Sequence, residues 1–519
     1  MDNNNNTTGS AAEGKEKLNL WAATLLAVAA GFIAQVMTYS YNYAYAYRDA
    51  IYRMEAARRF FDSLTPGIYS QLGTVWLPIP NLILMPLAAI DYFWETGLAA
   101  SIVNLPAFII ASLAIFLMVK NITESYAASW FGFLVFVFNY NILYFQTTAM
   151  TEQMYLTFLI CSVYYLVKWT KHNDGDYILY SSIFAAFGIG TRYDAWPVAL
   201  VTIFLVFIIS IKNKENTFRN TILIGTMPLA FIFAWLIYNW FRYGDPLEFS
   251  RGQFSTLYQL KYYEERGRLL TKNNFWLSAK VYFSSLFLYS GVIYTAIGFI
   301  GLAVYTFAKR LALKTLPPYI FWIALPATLF LLYKGQLIIE LPNSEPPGYF
   351  NSRYGLYLYP AIAVFSGIAA FYLLKFRYKL PVYILLGGVF IYQQFLFFEE
   401  FPKNIPAIDE AVYAYSKPSE NLSLYLKHNY KGGKILYDNI IFALHPWTGI
   451  DLKDRINYYT FGIAEQYRTT PSKYVEWVLI YKNAGNDKIY EAVKDNPDFL
   501  MNFELKFSEY GVEAYEKKH

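Results

Sequence analysis

Asp49, Glu152, Arg192 and Arg353 lie far apart in the chain, yet each stands near the end of an apolar run. Ionisable groups within a membrane cost about 2.5–3.5 kcal/mol each on translocon scales, so they are usually functional or paired. Asp49 has aromatic and basic neighbours. A carboxylate so placed can act as a general base, its pKa set by partial burial and nearby arginines. The plainer reading is an acidic residue opening a helix. Arginines at span ends can likewise just snorkel to headgroups. The chemical reading requires the four side chains to meet in one cavity on one side of a bilayer.

The chain that must position them is apolar throughout. Of its 519 residues 56% are hydrophobic and 16% charged, where a soluble domain has about a quarter charged. Mean hydropathy is +0.26. This excludes a disordered protein and argues against a wholly soluble enzyme. Aromatics reach 20%, which suits many membrane–water interfaces. The single cysteine, Cys161, excludes an internal disulfide framework and a cysteine-based zinc site. Four histidines and a net charge of +5 give no reason to expect a metal cage or nucleic acid.

Apolar runs long enough to span begin near Leu18, Leu98, Ala127, Met150, Tyr177, Trp196, Thr221, Val281, Pro318, Tyr354 and Pro381. The run from Trp76 to Trp94 contains Pro78, Pro80, Pro86 and Asp91 and fits a half-buried interfacial helix better than a span. Without that run as a span, one side collects Lys15 and Lys17, Lys120, Lys168 and Lys171, Lys212 and Arg219, Lys309 and Arg310, and Lys375 and Arg377. Short basic connections mark the cytoplasmic face. The expectation is about eleven transmembrane helices, a multi-pass protein with its N-terminus cytoplasmic. Residues 1–17 read as a disordered tail with no signal peptide, and 18–400 as the transmembrane domain with its first outer loop at 41–76. Residues 401–519 read as an extracytoplasmic soluble α/β domain, the composition changing near Phe401-Pro402-Lys403. Within it Lys434–Asp438 and Tyr474–Tyr481 read as strands, Asp487–Lys494 as a helix, and Glu504–Phe507 with Val512–Tyr515 as a hairpin.

In the first outer loop, Ile51, Met54, Arg58 and Phe61 recur at helical spacing, the pattern of an amphipathic helix lying on the membrane. Pro66-Gly67 and Trp76-Leu77-Pro78-Ile79-Pro80 follow. Thr151-Glu152 opens the fourth span, Thr191-Arg192-Tyr193-Asp194 joins the fifth and sixth, and Asn351-Ser352-Arg353-Tyr354 starts the tenth. Together these resemble the GT-C superfamily of integral-membrane glycosyltransferases. The closest branch uses polyprenyl-phosphate sugars and includes protein O-mannosyltransferases and lipid A aminoarabinose transferases. Asp49-Ala50 lacks the second acid that often follows the loop Asp, and Asn81 stands where close relatives often carry His.

The resemblance implies an enzyme that moves a sugar from a polyprenyl (dolichyl-type) monophosphate to an acceptor hydroxyl at the outer face, with inversion. It implies Asp49 as catalytic base and Arg353, Arg192 and Lys334 as donor-phosphate contacts. Glu152, Tyr354 and Arg58 are expected at substrate or lipid headgroups. The donor is a lipid-linked sugar and the acceptor a protein, glycan or lipid, in a prokaryotic plasma membrane. No cofactor or metal is expected, since no DxD pair occurs in the first loop and no GxGxxG or Walker loop offers a nucleotide site. Asn421-Leu422-Ser423 matches a glycosylation sequon, and His445-Pro446-Trp447 is a loop feature that could touch an acceptor. A transporter or flippase of lipid-linked sugar is the alternative. It would show repeated halves and mid-bilayer charges, and neither is evident.

Overall fold

The computed structural model describes residues 3–252, 255–344, 347–398, 405–413, 417–438, 443–457, 464–485 and 487–518. Seven helices among them are long and apolar enough to cross a bilayer: Glu13–Ser40, Leu98–Thr123, Ala195–Lys212, Thr217–Tyr243, Val292–Lys309, Ser352–Leu373 and Lys379–Phe398. The remaining expected spans correspond to Tyr126–Val137, Glu152–His172, Gly175–Ile189 and Pro317–Tyr333. This is a multi-pass membrane architecture. The first helix begins at Asn3, so the polar residues expected as a disordered tail continue it. The run expected to begin at Val281 is two helices, Phe275–Ser290 and Val292–Lys309, broken at Gly291 with φ 74°. The proline-bearing run becomes two pieces, Ile79–Ala88 and Asp91–Thr96. Ten residues of helix rise about 15 Å, half a bilayer core.

The Ser352–Leu373 segment is the most enclosed of the long helices. Its neighbours approach through glycines. Gly132 and Gly367 face each other's helices, with the carbonyl oxygens of Ala363 and Ala128 at 3.0 and 2.9 Å from where a Cβ would stand. On another side Gly298 and Gly301 lie against Ile362 and Phe365. Small residues let backbones close in where no hydrophobic force drives helices together in lipid. This packing fixes the N-terminal end of the segment, where Arg353 sits.

The C-terminal part carries a five-stranded sheet: β1 (Ile435–Leu436), β2 (Arg455–Ile456), β3 (Trp477–Tyr481), β4 (Phe503–Glu509) and β5 (Val512–Lys517), in the order β2-β1-β3-β5-β4. β1 runs parallel to β2 and β3, and β5 antiparallel to β3 and β4. Tyr510 and Gly511 turn the hairpin with φ 48° and 86°, both positive as a tight two-residue turn requires. Asp487 caps the Lys488–Val493 helix by accepting from two backbone N–H groups. The expected boundary at Phe401-Pro402-Lys403 lies outside the described residues.

Among the described residues, several polar contacts tie the C-terminal part to the helical part. The Pro406–Tyr413 helix docks there, the Ala407 N–H donating to Asn141 Oδ1 at 3.0 Å. The Arg48–Arg58 helix is clamped from above: Arg455 Nη1 meets Glu55 Oε1 at 2.8 Å, both nearly inaccessible. Asp62 accepts the backbone N–H groups of Leu452 and Lys453 at 2.9 and 3.0 Å. The Arg48–Arg58 helix is therefore buried in protein along most of its length, where the sequence pattern had it lying on the membrane. Of its charges, Glu55 and Arg58 face protein partners, whereas Arg48 is exposed.

Candidate active site

Asp49, Glu152, Arg192 and Arg353 each stand at or next to an element's end. Asp49 lies in the first turn of Arg48–Arg58. Glu152 opens Glu152–His172, next to the helix dipole's positive end. Arg192 follows the Gly175–Ile189 helix in a turn closed by its own N–H to the Gly188 carbonyl at 3.0 Å. Arg353 lies in a 3-10 turn, Ser352–Leu358, entered through Asn351 in the left-handed region at φ 54°.

These four converge. Arg353 Nη2 donates to Asp49 Oδ2 at 3.2 Å. Its Nε lies 3.1 Å from Glu152 Oε1, an ion pair that lacks hydrogen-bond alignment. Arg192 Nη1 reaches the same Glu152 oxygen at 3.1 Å and Thr151 Oγ1 at 3.1 Å, while its Nε donates to Asp194 at 2.9 Å. Tyr357 Oη also donates to Glu152 Oε1, at 3.2 Å. Glu152 is wholly buried, whereas the Asp49 side chain remains 43% exposed. The buried acid thus holds two guanidinium groups and the accessible acid faces outward. Arg192 lies over the Tyr354 and Tyr357 rings, at 5.7 and 4.7 Å from their centroids, which places Tyr354 in the site.

Two further charges arrive that the sequence reading did not single out. Glu410, from the Pro406–Tyr413 helix, accepts from Arg353 Nη1 at 3.1 Å and from the Asn351 N–H at 3.0 Å, and is hydrogen-bonded by Ser352 Oγ. Burial pushes its carboxyl above the usual range despite Arg353. Arg53 is buried one turn after Asp49 and lies 4.2 Å from the Trp76 ring. Its spacing of four from Asp49 was the available signal, since such residues share a helix face. Glu410 had none, lying past the expected domain boundary.

Two expected contacts stand apart from this cluster. Lys334 is exposed, near the Phe330 and Tyr333 rings, and forms no ion pair with the cluster. Arg58 is committed to Asp62 and Asp91 and to the carbonyls of Ala88 and Ala89, a structural set that joins the Arg48–Arg58 helix to the Ile79–Ala88 and Asp91–Thr96 helices. Asn81 is buried. Among the described residues no group of three or more potential metal ligands converges. A cavity of about 770 Å³ is walled by Ser284, Phe287, Gly291, Gln393, Phe397 and Asp409, among others, and by none of Asp49, Glu152, Arg192 and Arg353.

Residues 78–240 match the family model described as dolichyl-phosphate-mannose-protein mannosyltransferase. That stretch includes Glu152 and Arg192. A comparison with curated proteins returns no match. Among solved structures, the fold is similar to the Archaeoglobus fulgidus oligosaccharyltransferase in its apo form, with TM-score 0.54 and 11% identity over 96% of this chain and 74% of that one. The archaeal oligosaccharyltransferase AglB of the same organism, in complex with an inhibitory peptide and a dolichol-phosphate, aligns with TM-score 0.53 and 12% identity over 97% and 74%. A form tethered to an acceptor peptide containing the NVT sequon gives 0.51 and 11% over 96% and 74%. At such identities the likeness is one of fold.

Proposed function

We propose that this chain, a membrane glycosyltransferase with the GT-C fold, transfers a sugar from a polyprenyl (dolichyl-type) monophosphate to an acceptor hydroxyl at the outer membrane face, inverting the anomeric centre. The observation that carries this is the meeting of Asp49, Arg353, Glu152 and Arg192, brought from four distant segments and linked in that order by ion pairs. The matching family and the dolichol-phosphate bound to the structural neighbour support a lipid-linked donor.

The acceptor oxygen attacks the anomeric carbon as its proton passes to the Asp49 carboxylate. The bond from that carbon to the phosphate oxygen breaks, and the electron pair leaves with the polyprenyl monophosphate. A single displacement of this kind inverts configuration. Asp49 suits the base because it is the accessible acid of the cluster, held in place by Arg353. Fixed guanidinium groups suit the leaving phosphate, since they are oriented before charge develops. Glu152 keeps Arg192 and Arg353 aligned. Its Oε2 is buried without a hydrogen-bond partner. In this reading the N-terminus is cytoplasmic, the outer domain extracytoplasmic, and the isoprenyl tail reaches the cluster from the bilayer. The acceptor is a protein, glycan or lipid hydroxyl.

The test is incubation of the purified protein, in nanodiscs, with radiolabelled polyprenyl-phosphate sugars and envelope fractions. Label is expected to leave the lipid and appear on an acceptor, with the anomeric configuration reversed by NMR. Failure of every such donor to lose its sugar would reject the proposal.

A further inference from the structure

Each of the three guanidinium nitrogens of Arg353 meets a different carboxylate. Nη2 meets Asp49 at 3.2 Å, Nε meets Glu152 at 3.1 Å and Nη1 meets Glu410 at 3.1 Å. The three acids are not alike. Glu152 and Glu410 are buried, whereas Asp49 is accessible. Of the two buried acids, Glu410 is the one that makes an aligned hydrogen bond to the guanidinium. A guanidinium is planar and rigid. Holding Nη1 and Nε therefore sets where Nη2 points, and Nη2 is the nitrogen that meets Asp49.

Glu410 grips more than the guanidinium. Its Oε1 accepts the Asn351 N–H at 3.0 Å and its Oε2 accepts the Ser352 hydroxyl. Three consecutive residues, Asn351, Ser352 and Arg353, thus end on one carboxylate. Asn351 stands in the left-handed region at φ 54°, a conformation that persists where the surroundings over-determine it. The Ser352 hydroxyl, its own proton spent on Glu410, accepts from Tyr289 Oη at 3.0 Å. The Tyr289 carbonyl accepts from the Asn139 and Asn141 amides at 2.8 and 3.2 Å. Asn141 Oδ1 takes the N–H of Ala407, on the helix that carries Glu410, at 3.0 Å. The Pro406–Tyr413 helix and the turn bearing Arg353 are thereby closed into one loop of buried hydrogen bonds.

We propose that Glu410 is a positioning residue for the transfer reaction: from the Pro406–Tyr413 helix it holds Arg353 in the orientation that sets Nη2 against Asp49, so the base is aligned only while that helix is docked. This rests on the glycosyl-transfer reading given above, in which Asp49 is the base. In this assignment Glu410 touches neither donor nor acceptor. Its charge is what the task requires. A carboxylate accepts on both oxygens and neutralises a guanidinium, whereas an amide has one acceptor and no charge.

The test measures the rate constant of single-turnover transfer in nanodiscs for wild type, Glu410→Gln, Glu410→Asp, Asp49→Asn and the two double variants. The probe is the radiolabelled polyprenyl-phosphate sugar, with envelope fractions as acceptor. Misfolded enzyme lowers the amplitude of such a reaction and leaves its rate constant, so a purely structural role does not move this readout. Glu410→Gln should be at least tenfold slower than wild type with donor affinity within twofold. Glu410→Asp, charged but one methylene short, should lie between them, at least threefold from each. In the Asp49→Asn background either change should slow transfer less than twofold, because a residue acting through the base has nothing left to align. A wild-type rate constant in whichever Glu410 variant folds, or the full loss repeated on top of Asp49→Asn, overturns the assignment. If wild type transfers no sugar, the donor reading fails and this assignment falls with it. If Asp49→Asn alone matches wild type, it is the choice of base that fails.

Discussion

Glu152 is the most heavily used residue of the site, with two guanidinium groups and a phenol on one buried oxygen. Replacing it by Gln leaves Arg192 and Arg353 facing each other without the charge between them. Breaking a buried pair costs about 3 kcal/mol, so Glu152→Gln should show that order of destabilisation in thermal unfolding and at least a tenfold loss of transfer. An unaltered melting temperature would mean that the cluster is solvated rather than buried. The site's principal members were readable from sequence because ionisable groups at span ends stand out against apolar runs. Arg53 was not, because its helix looked like a surface element whose charges merely flank an apolar stripe. Lys334 shows the reverse, since a basic residue at a span end is equally well explained by snorkelling, and here it lies exposed near aromatic rings.

The helices around the site are set by close approach. A Cβ on Gly301 would collide with the Phe365 carbonyl, backbone against backbone, whereas one on Gly387 would meet nothing within 4 Å. Overpacking of this kind costs about 1–3 kcal/mol. Gly301→Ala should therefore lower the melting temperature measurably and Gly387→Ala should leave it unchanged, both read by thermal unfolding in the same detergent. Equal effects would show that the two faces pack alike. Of the elements, β1, β3, β4, β5 and the Lys488–Val493 helix were legible in the sequence, whereas the two-residue β2 was not. The break at Gly291 was not. The run through it stays apolar on both sides, and only the backbone reversal to φ 74° separates the two helices.

At the scale of the whole molecule, the C-terminal sheet domain is bound to the helical part by buried charge. Arg455 reaches Glu55 on the helix that carries Asp49, and Glu410 enters the cluster from the helix after the last span. No periodicity in either segment announces such docking, so a sequence reading separates what the fold joins. This docking region also carries a pH dependence. His445 is buried, and desolvation together with Arg455 lowers it to about 4 from an ordinary 6.5. The unfolded chain takes up its proton below 6.5 and the native one only near 4, so stability falls as pH drops through that window, by about 3 kcal/mol in full. The raised carboxyls of Glu410 and Glu55 act in the opposite sense, costing stability as pH rises past their folded values. The His445 contribution is isolated by subtracting the unfolding curve of His445→Gln at each pH. A difference that stays flat from pH 6.5 to 4 would contradict it.

The decisive measurement is single-turnover sugar transfer at saturating polyprenyl-phosphate donor by wild type and Asp49→Asn in matched nanodiscs. General-base removal costs about 10²–10⁴ in rate. We expect Asp49→Asn to melt like wild type, to bind the donor as tightly, and to transfer at least a hundredfold more slowly. Transfer by that variant at the wild-type rate would show that the carboxylate beside Arg353 is not the base.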